Sequence, residues 1–169
     1  MRSESQNTAL GVKITALLLA GGGLLGLASV PIALVAFPQQ LLSQPPLKVA
    51  FGGFYLFLDG WCTWIGFDLW RGKSHALKWA RIIFALQIPY VTVPGFSYLF
   101  QTAGVTVQLF FSSHGYNLKL GSYISIFVSP LIEGYAFGVN IVAIAALIYL
   151  TRLQSLTYEM KKDSRLGLI

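Results

Sequence analysis

Apolar residues along this chain gather into long runs, and four of those runs reach the length that a bilayer demands. They cover residues 14–37, 49–70, 81–101 and 131–151. A hydrocarbon core about 30 Å thick needs roughly 20 apolar residues per helix. The pattern therefore predicts an all-α membrane protein, a four-transmembrane-helix bundle forming a single integral domain over residues 1–169. Between the third and fourth runs the period changes. VTVQLFFSSHGYNLKLGSYISIF alternates, with Val105, Val107, Leu109 and Phe111 on one side of its first half. Leu118, Leu120, Ile124 and Ile126 share a side of its second half. Alternation of period two, interrupted by SSHGYN, predicts a small extracytoplasmic β-hairpin insert over about 104–128. The edges of such a hairpin need cover from the protein, a copy or a partner strand.

Small residues and prolines modify the four spans. Gly22 and Gly26 in the first and Gly134 and Gly138 in the fourth stand in GxxxG spacing, which lets another helix approach closely. Pro31 predicts a kink in the first span, and Pro89 and Pro94 predict a third span kinked or broken in its outer half. Residues 152–169 read as a frayed cytoplasmic tail.

Composition and charge then orient the bundle. The chain is 55% hydrophobic and 11% charged, with mean hydropathy +0.65, against about 25% charged residues in soluble domains. Its net charge of +6 sits at the ends of the spans instead of forming a basic face, which excludes nucleic acid as the partner. Arg2 and Lys13 precede the first span, Arg71, Lys73, Lys78 and Arg81 lie between the second and third, and Arg152, Lys161, Lys162 and Arg165 follow the fourth. Lys48 and Lys119 alone fall in the other loops. By the positive-inside rule both termini are cytoplasmic in a multi-pass protein. The run from Ile14 to Phe37 exceeds a signal peptide's h-region, so it reads as a retained helix. Trp70 and Trp79, flanking the basic turn, suit a membrane interface and make membrane lipid an expected partner.

Candidate chemistry is sparse. A lone Cys62 excludes an internal disulfide, His75 and His114 lie in separate loops, and no spacing suits a metal, so no metal site, cofactor or catalytic constellation is expected. Asp59 falls near the middle of the second run, where an ionised carboxylate costs roughly 2.5 to 3.5 kcal/mol. Gly52, Tyr55, Cys62, Thr63 and Gly66 recur with it at helical intervals, so its stripe faces the bundle. Gln87, Tyr90 and Asn140 lie at similar depth, and Glu133 sits seven residues before Asn140. These five residues form a candidate polar line from the outer mouth to the centre. It reads either as a proton or small-solute site around Asp59 or as a hydrogen-bonded clamp. Asp68, nearer the cytoplasmic end, is expected to pair with Arg71 or Arg81.

DLWRGKSHALKWAR and GVNIVAIAAL resemble segments of small, uncharacterised bacterial inner-membrane proteins with four helices and a basic central turn. That resemblance implies a bacterial inner-membrane location and brings no activity with it. Vitamin K epoxide reductase-like and disulfide-bond-forming proteins need paired cysteines that this chain lacks. Small multidrug transporters carry a glutamate in a first helix that here has no acid. The expected function is that of a non-enzymatic accessory protein or complex subunit, bound to a membrane-protein partner or to a second copy of itself. The alternatives are a small proton-coupled transporter or channel using Asp59, and a membrane-embedded enzyme acting on a lipid-like substrate.

Overall fold

A computed structural model describes residues 2–36, 46–102, 104–110, 115–120, 122–129, 131–132 and 134–165. Helices α1 (Arg2–Ala36), α2 (Pro46–Trp70) and α3 (Ser74–Leu86) come first. Six strands follow: β1 (Pro89–Val93), β2 (Phe96–Gln101), β3 (Val105–Phe110), β4 (Gly115–Leu120), β5 (Tyr123–Val128) and β6 (Ala136–Asn140). Helix α4 (Ile141–Arg165) closes the described chain. The strands form one antiparallel sheet in the order β4-β3-β6-β1-β2-β5.

This architecture overturns the four-helix membrane bundle. Among the described residues, Leu10–Ile32 is the one segment in a helix long and apolar enough to cross a membrane. Its 23 residues lie near the N-terminus, and multi-pass topology with paired cytoplasmic termini has no support. Helix α2 matches the second run, but Asp59, Asp68 and its glycine residues bring it below a span. The third run, expected as one helix over 81–101, divides at Leu86. Beyond it Pro89 and Pro94 deny the backbone donors that a helix requires, while β-branched Val91, Thr92 and Val93 favour extension. Pro94 and Gly95 make the turn between β1 and β2, with Gly95 at φ +84°, a conformation glycine adopts without steric cost.

The fourth run divides in the same way. Its first part is strand β6, and its helix begins only at Ile141, where Asn140 Oδ1 accepts from the backbone N–H groups of Val142 (3.1 Å) and Ala143 (3.3 Å). That is an N-cap. Gly134 and Gly138 therefore form no helix-packing face: Gly134 precedes β6 at φ +86° and Gly138 lies within it. Residues 152–165, expected as a frayed tail, continue α4.

Strands β3 and β4 do pair, with Gly115, Tyr116 and Asn117 of SSHGYN already within β4, but as part of the larger sheet and not as an insert on a bundle. Strands β2 and β5 extend the same hairpin. Between the pairs Gln101↔Tyr123 and Val105↔Leu120 the chain has one more residue on the first side than on the second. One extra residue bends a strand pair and increases its twist. The hairpin turns there, so β3 comes back to pair with β6 while β2 pairs with β1. Four strands thus curl on themselves, and β4 and β5 are left as the edges.

The apolar core lies where the helices converge. Leu19 of α1, Ile65 and Leu69 of α2, Ile83 and Phe84 of α3 and Leu150 of α4 are buried together, with Phe100 of β2 as the sheet's contribution. Helices α1 and α2 form the longest contact. A Cβ on Gly26 would overlap the Asp59 carboxylate, and one on Gly22 would overlap the Thr102 carbonyl. The GxxxG pair therefore does two jobs, with Gly26 admitting α2 and Gly22 admitting the bend of the sheet. Gly26→Ala is expected to lower stability by about 1–3 kcal/mol, the usual cost of overpacking. Denaturant unfolding measures this, and an unchanged midpoint would mean that α1 and α2 are not so closely apposed.

Candidate functional site

Register alone places a set of polar side chains on one face of the curled sheet. Tyr90 pairs with Leu99 on β2 and with Gly138 on β6, and directly paired residues share a face. Two residues along those strands, toward the same end, come Gln101 and Asn140. Asn140 in turn pairs with Gln108 on β3, and Thr106 follows on the same face. Gln101, Thr106, Gln108 and Asn140 are each no more than 1% exposed. At the far end of this face Thr92 Oγ1 lies 3.0 Å from Ser97 Oγ and donates to Tyr90 Oη at 3.1 Å. The opposite face of β2 carries Phe100 and Tyr98 into the apolar core. The curled sheet thus turns an apolar side toward the helices and keeps a polar side within itself.

Helix residues join this layer at the bend. Gln87, at the C-cap of α3, donates from Nε2 to Thr102 Oγ1 at 2.7 Å, and Thr102 donates onward to Cys62 Sγ at 3.2 Å. The Ser122 hydroxyl lies 2.7 Å from Asp59 Oδ1 and 3.2 Å from the Gln101 carbonyl, and can donate to either. Tyr55 Oη bridges α2 to the β5 backbone, accepting from Ile126 N at 3.3 Å. Burial raises the Asp59 carboxyl above its ordinary 3.8, opposed by the Ser122 hydrogen bond. Burial also pushes the Cys62 thiol up to about 12, so it remains an unreactive thiol at neutral pH.

Several atoms of this layer lack a protein partner. They are both amide atoms of Gln101, Thr106 Oγ1, Gln108 Oε1 and Asn140 Nδ2. Buried polar groups without a protein partner are the usual seats of ordered water. Their mixed donors and acceptors, with no charge among them, match neutral hydrogen-bonding groups better than an ion.

Of the residues read from the sequence as a polar line, Asp59, Gln87, Tyr90 and Asn140 do reach this region, and Glu133 lies outside the described residues. They arrive by another route: Tyr90 and Asn140 stand on strands, and Asn140 also caps α4. Gln101, Thr102, Thr106, Gln108 and Ser122 were not foreseen. The signal for Thr106 and Gln108 is the polar side of the alternation in VTVQLF; Gln101, Thr102 and Ser122 lie outside that stretch. Asp68, 1% exposed, pairs with Lys73 at 2.8 Å and His75 at 2.9 Å instead of Arg71 or Arg81. The hydrogen bond from Lys73 is the largest cause holding its carboxyl below the ordinary value. Among the described residues no three His, Cys, Asp or Glu side chains gather as a metal site. No protein-family model, curated protein or solved structure matches the chain.

Two neighbouring amides should respond in opposite ways. Gln108→Met removes a buried acceptor that has no protein partner and is expected to be neutral or mildly stabilising. Asn140→Ala removes the cap of α4 and should cost about 0.5–2 kcal/mol. Paired unfolding curves check this, and equal losses at both positions would contradict the different roles assigned to them.

Proposed function

We propose that this protein is a membrane-associated, non-enzymatic accessory subunit that works by association. The observation that carries the reading is a continuous apolar face on α1 and α2. On α1, Leu10, Ile14, Leu17, Leu24 and Ile32 recur at helical spacing and are 47–66% exposed. On α2, Phe54, Phe57, Trp64 and Phe67 do the same at 46–67%. Leu17 and Phe67 line one shallow cleft between the helices, together with Trp70, so the two stripes lie side by side. An apolar patch of this extent marks a membrane or a partner in soluble and membrane proteins alike.

Two further features favour the membrane. At one end of the face Lys13 Nζ stands 5.5 Å from the Trp70 ring, the pairing of indole and ammonium found at lipid headgroups, and Lys78 Nζ stands 6.0 Å from Trp79, whose ring meets Trp61. The sheet meets α1 at Gly22, on the side of the helix away from Leu17 and Leu24. Its edges β4 and β5 suit a partner strand or a second copy.

Flotation with vesicles of phosphatidylethanolamine and phosphatidylglycerol tests the membrane reading. The intact protein should rise with the vesicles, and Leu17→Asp combined with Phe67→Asp should leave most of it at the bottom of the gradient. Failure of the intact protein to float removes the reading. Purification from native membranes without a stoichiometric partner or a second copy would remove the accessory role.

A second reading, a small-solute or proton path, draws support from Asp59 being linked through the Ser122 hydroxyl to the backbone carbonyl of Gln101, whose side chain belongs to the buried polar row. It expects pH-dependent flux in proteoliposomes that Asp59→Asn abolishes. Flux equal in both proteins, or none in either, would dismiss it.

A further inference from the structure

On the other flank of α1, a groove of about 420 Å³ runs between α1, β3 and α4. Its walls include Ile14, Leu18, Val107, Val142, Ala145 and Tyr149. Thr15, also in the lining, spends its hydroxyl on the Gly11 carbonyl at 2.9 Å, so it offers little to a polar guest. Along α4 the groove runs from Ile141 to Tyr149, roughly 12 Å at 1.5 Å per residue. Ile14, 51% exposed, belongs both to this groove and to the apolar stripe of α1. The groove therefore opens sideways onto the face assigned above to lipid. Beyond its Tyr149 end, Arg152 follows three residues later on the same stripe of α4 and is exposed.

We propose that this groove holds one acyl chain of an anionic bilayer lipid, with the lipid phosphate beside Arg152. The inference rests on the membrane reading and adds a specific site to it. The lining selects the occupant: its side chains are apolar, and the Thr15 hydroxyl is already spent on its own helix. A single unbranched chain needs no hydrogen bonds and can lie along an open apolar groove that includes Ala145 and Ala146. Arg152 supplies charge complementarity for a phosphate at the polar end, worth about 1 kcal/mol for one basic residue near a membrane surface.

The test uses the full chain in phosphatidylethanolamine vesicles carrying phosphatidylglycerol with a photoreactive diazirine in its acyl chain. After illumination, adducts are mapped by mass spectrometry. The proposal expects adducts on residues 141–149 and on the Ile14 to Leu18 turn, in addition to the α1–α2 face. Ala145→Trp, at an exposed position of the groove, should abolish the 141–149 adducts while flotation and labelling around Phe67 persist. Arg152→Gln should reduce 141–149 labelling by phosphatidylglycerol, relative to the same diazirine on phosphatidylcholine, by about fivefold. Adducts at 141–149 that survive Ala145→Trp, or labelling confined to the α1–α2 face, would overturn the groove and leave membrane association standing. Failure to float would remove both.

Discussion

The junction of α1, α2 and the sheet bend is the constraint on which the rest of this structure depends. Gly26 lies against the Asp59 carboxylate, Gly22 lies against the Thr102 carbonyl, and Ser122 reaches from the far side of the bend to Asp59. Three chain segments distant in sequence meet here without room for another methyl group. Because Ser122 sits beside both Asp59 and the Gln101 carbonyl, the helix pair and the bent hairpin cannot shift independently. The bend then returns β3 to β6 and creates an enclosed face, and the fit against α1 decides which flank of that helix remains open.

From this junction the molecule divides its polar and apolar groups in an unusual sense. Polar side chains are drawn inside the curled sheet, while large apolar ones cover the outward faces of α1 and α2. A large exposed apolar face is costly in water and favourable beside an acyl environment. The two halves also explain each other: a sheet that meets the helices with Phe100 and Tyr98 must turn its alternate residues the other way, and those residues are Gln101, Thr106, Gln108 and Asn140.

Much of the local structure was legible in the residues. The first two apolar runs are helices, the alternation in VTVQLF is a strand, and the two prolines do break the third run. Hydropathy predicts membrane-length helices in the third and fourth runs, and neither is one: a proline-interrupted apolar run can equally be a short helix followed by strands, and periodicity does not separate buried strand from buried helix. IPYVTVPGFSYLF and YAFGVN have the β-branched and aromatic content of strands, and hydropathy alone concealed it. The candidate site was half legible. Asp59, Gln87, Tyr90 and Asn140 were found as polar residues in apolar surroundings, whereas Gln101, Thr106 and Gln108 lie in stretches read as a span's end and a hairpin's outer side.

What the sequence by itself determined is local: that the first two runs are helical, where proline and glycine force a turn, which positions alternate, and that a large apolar surface must be covered. The tertiary structure decided the rest, because pairing of β6 with β1 and β3 joins segments about thirty to fifty residues apart and depends on a single extra residue at the hairpin bend. A shift of one residue there would turn every following side chain of that strand to the opposite face. Whether Gln108 and Asn140 meet inside the sheet or face solvent is therefore a property of register, and register is set by the whole fold.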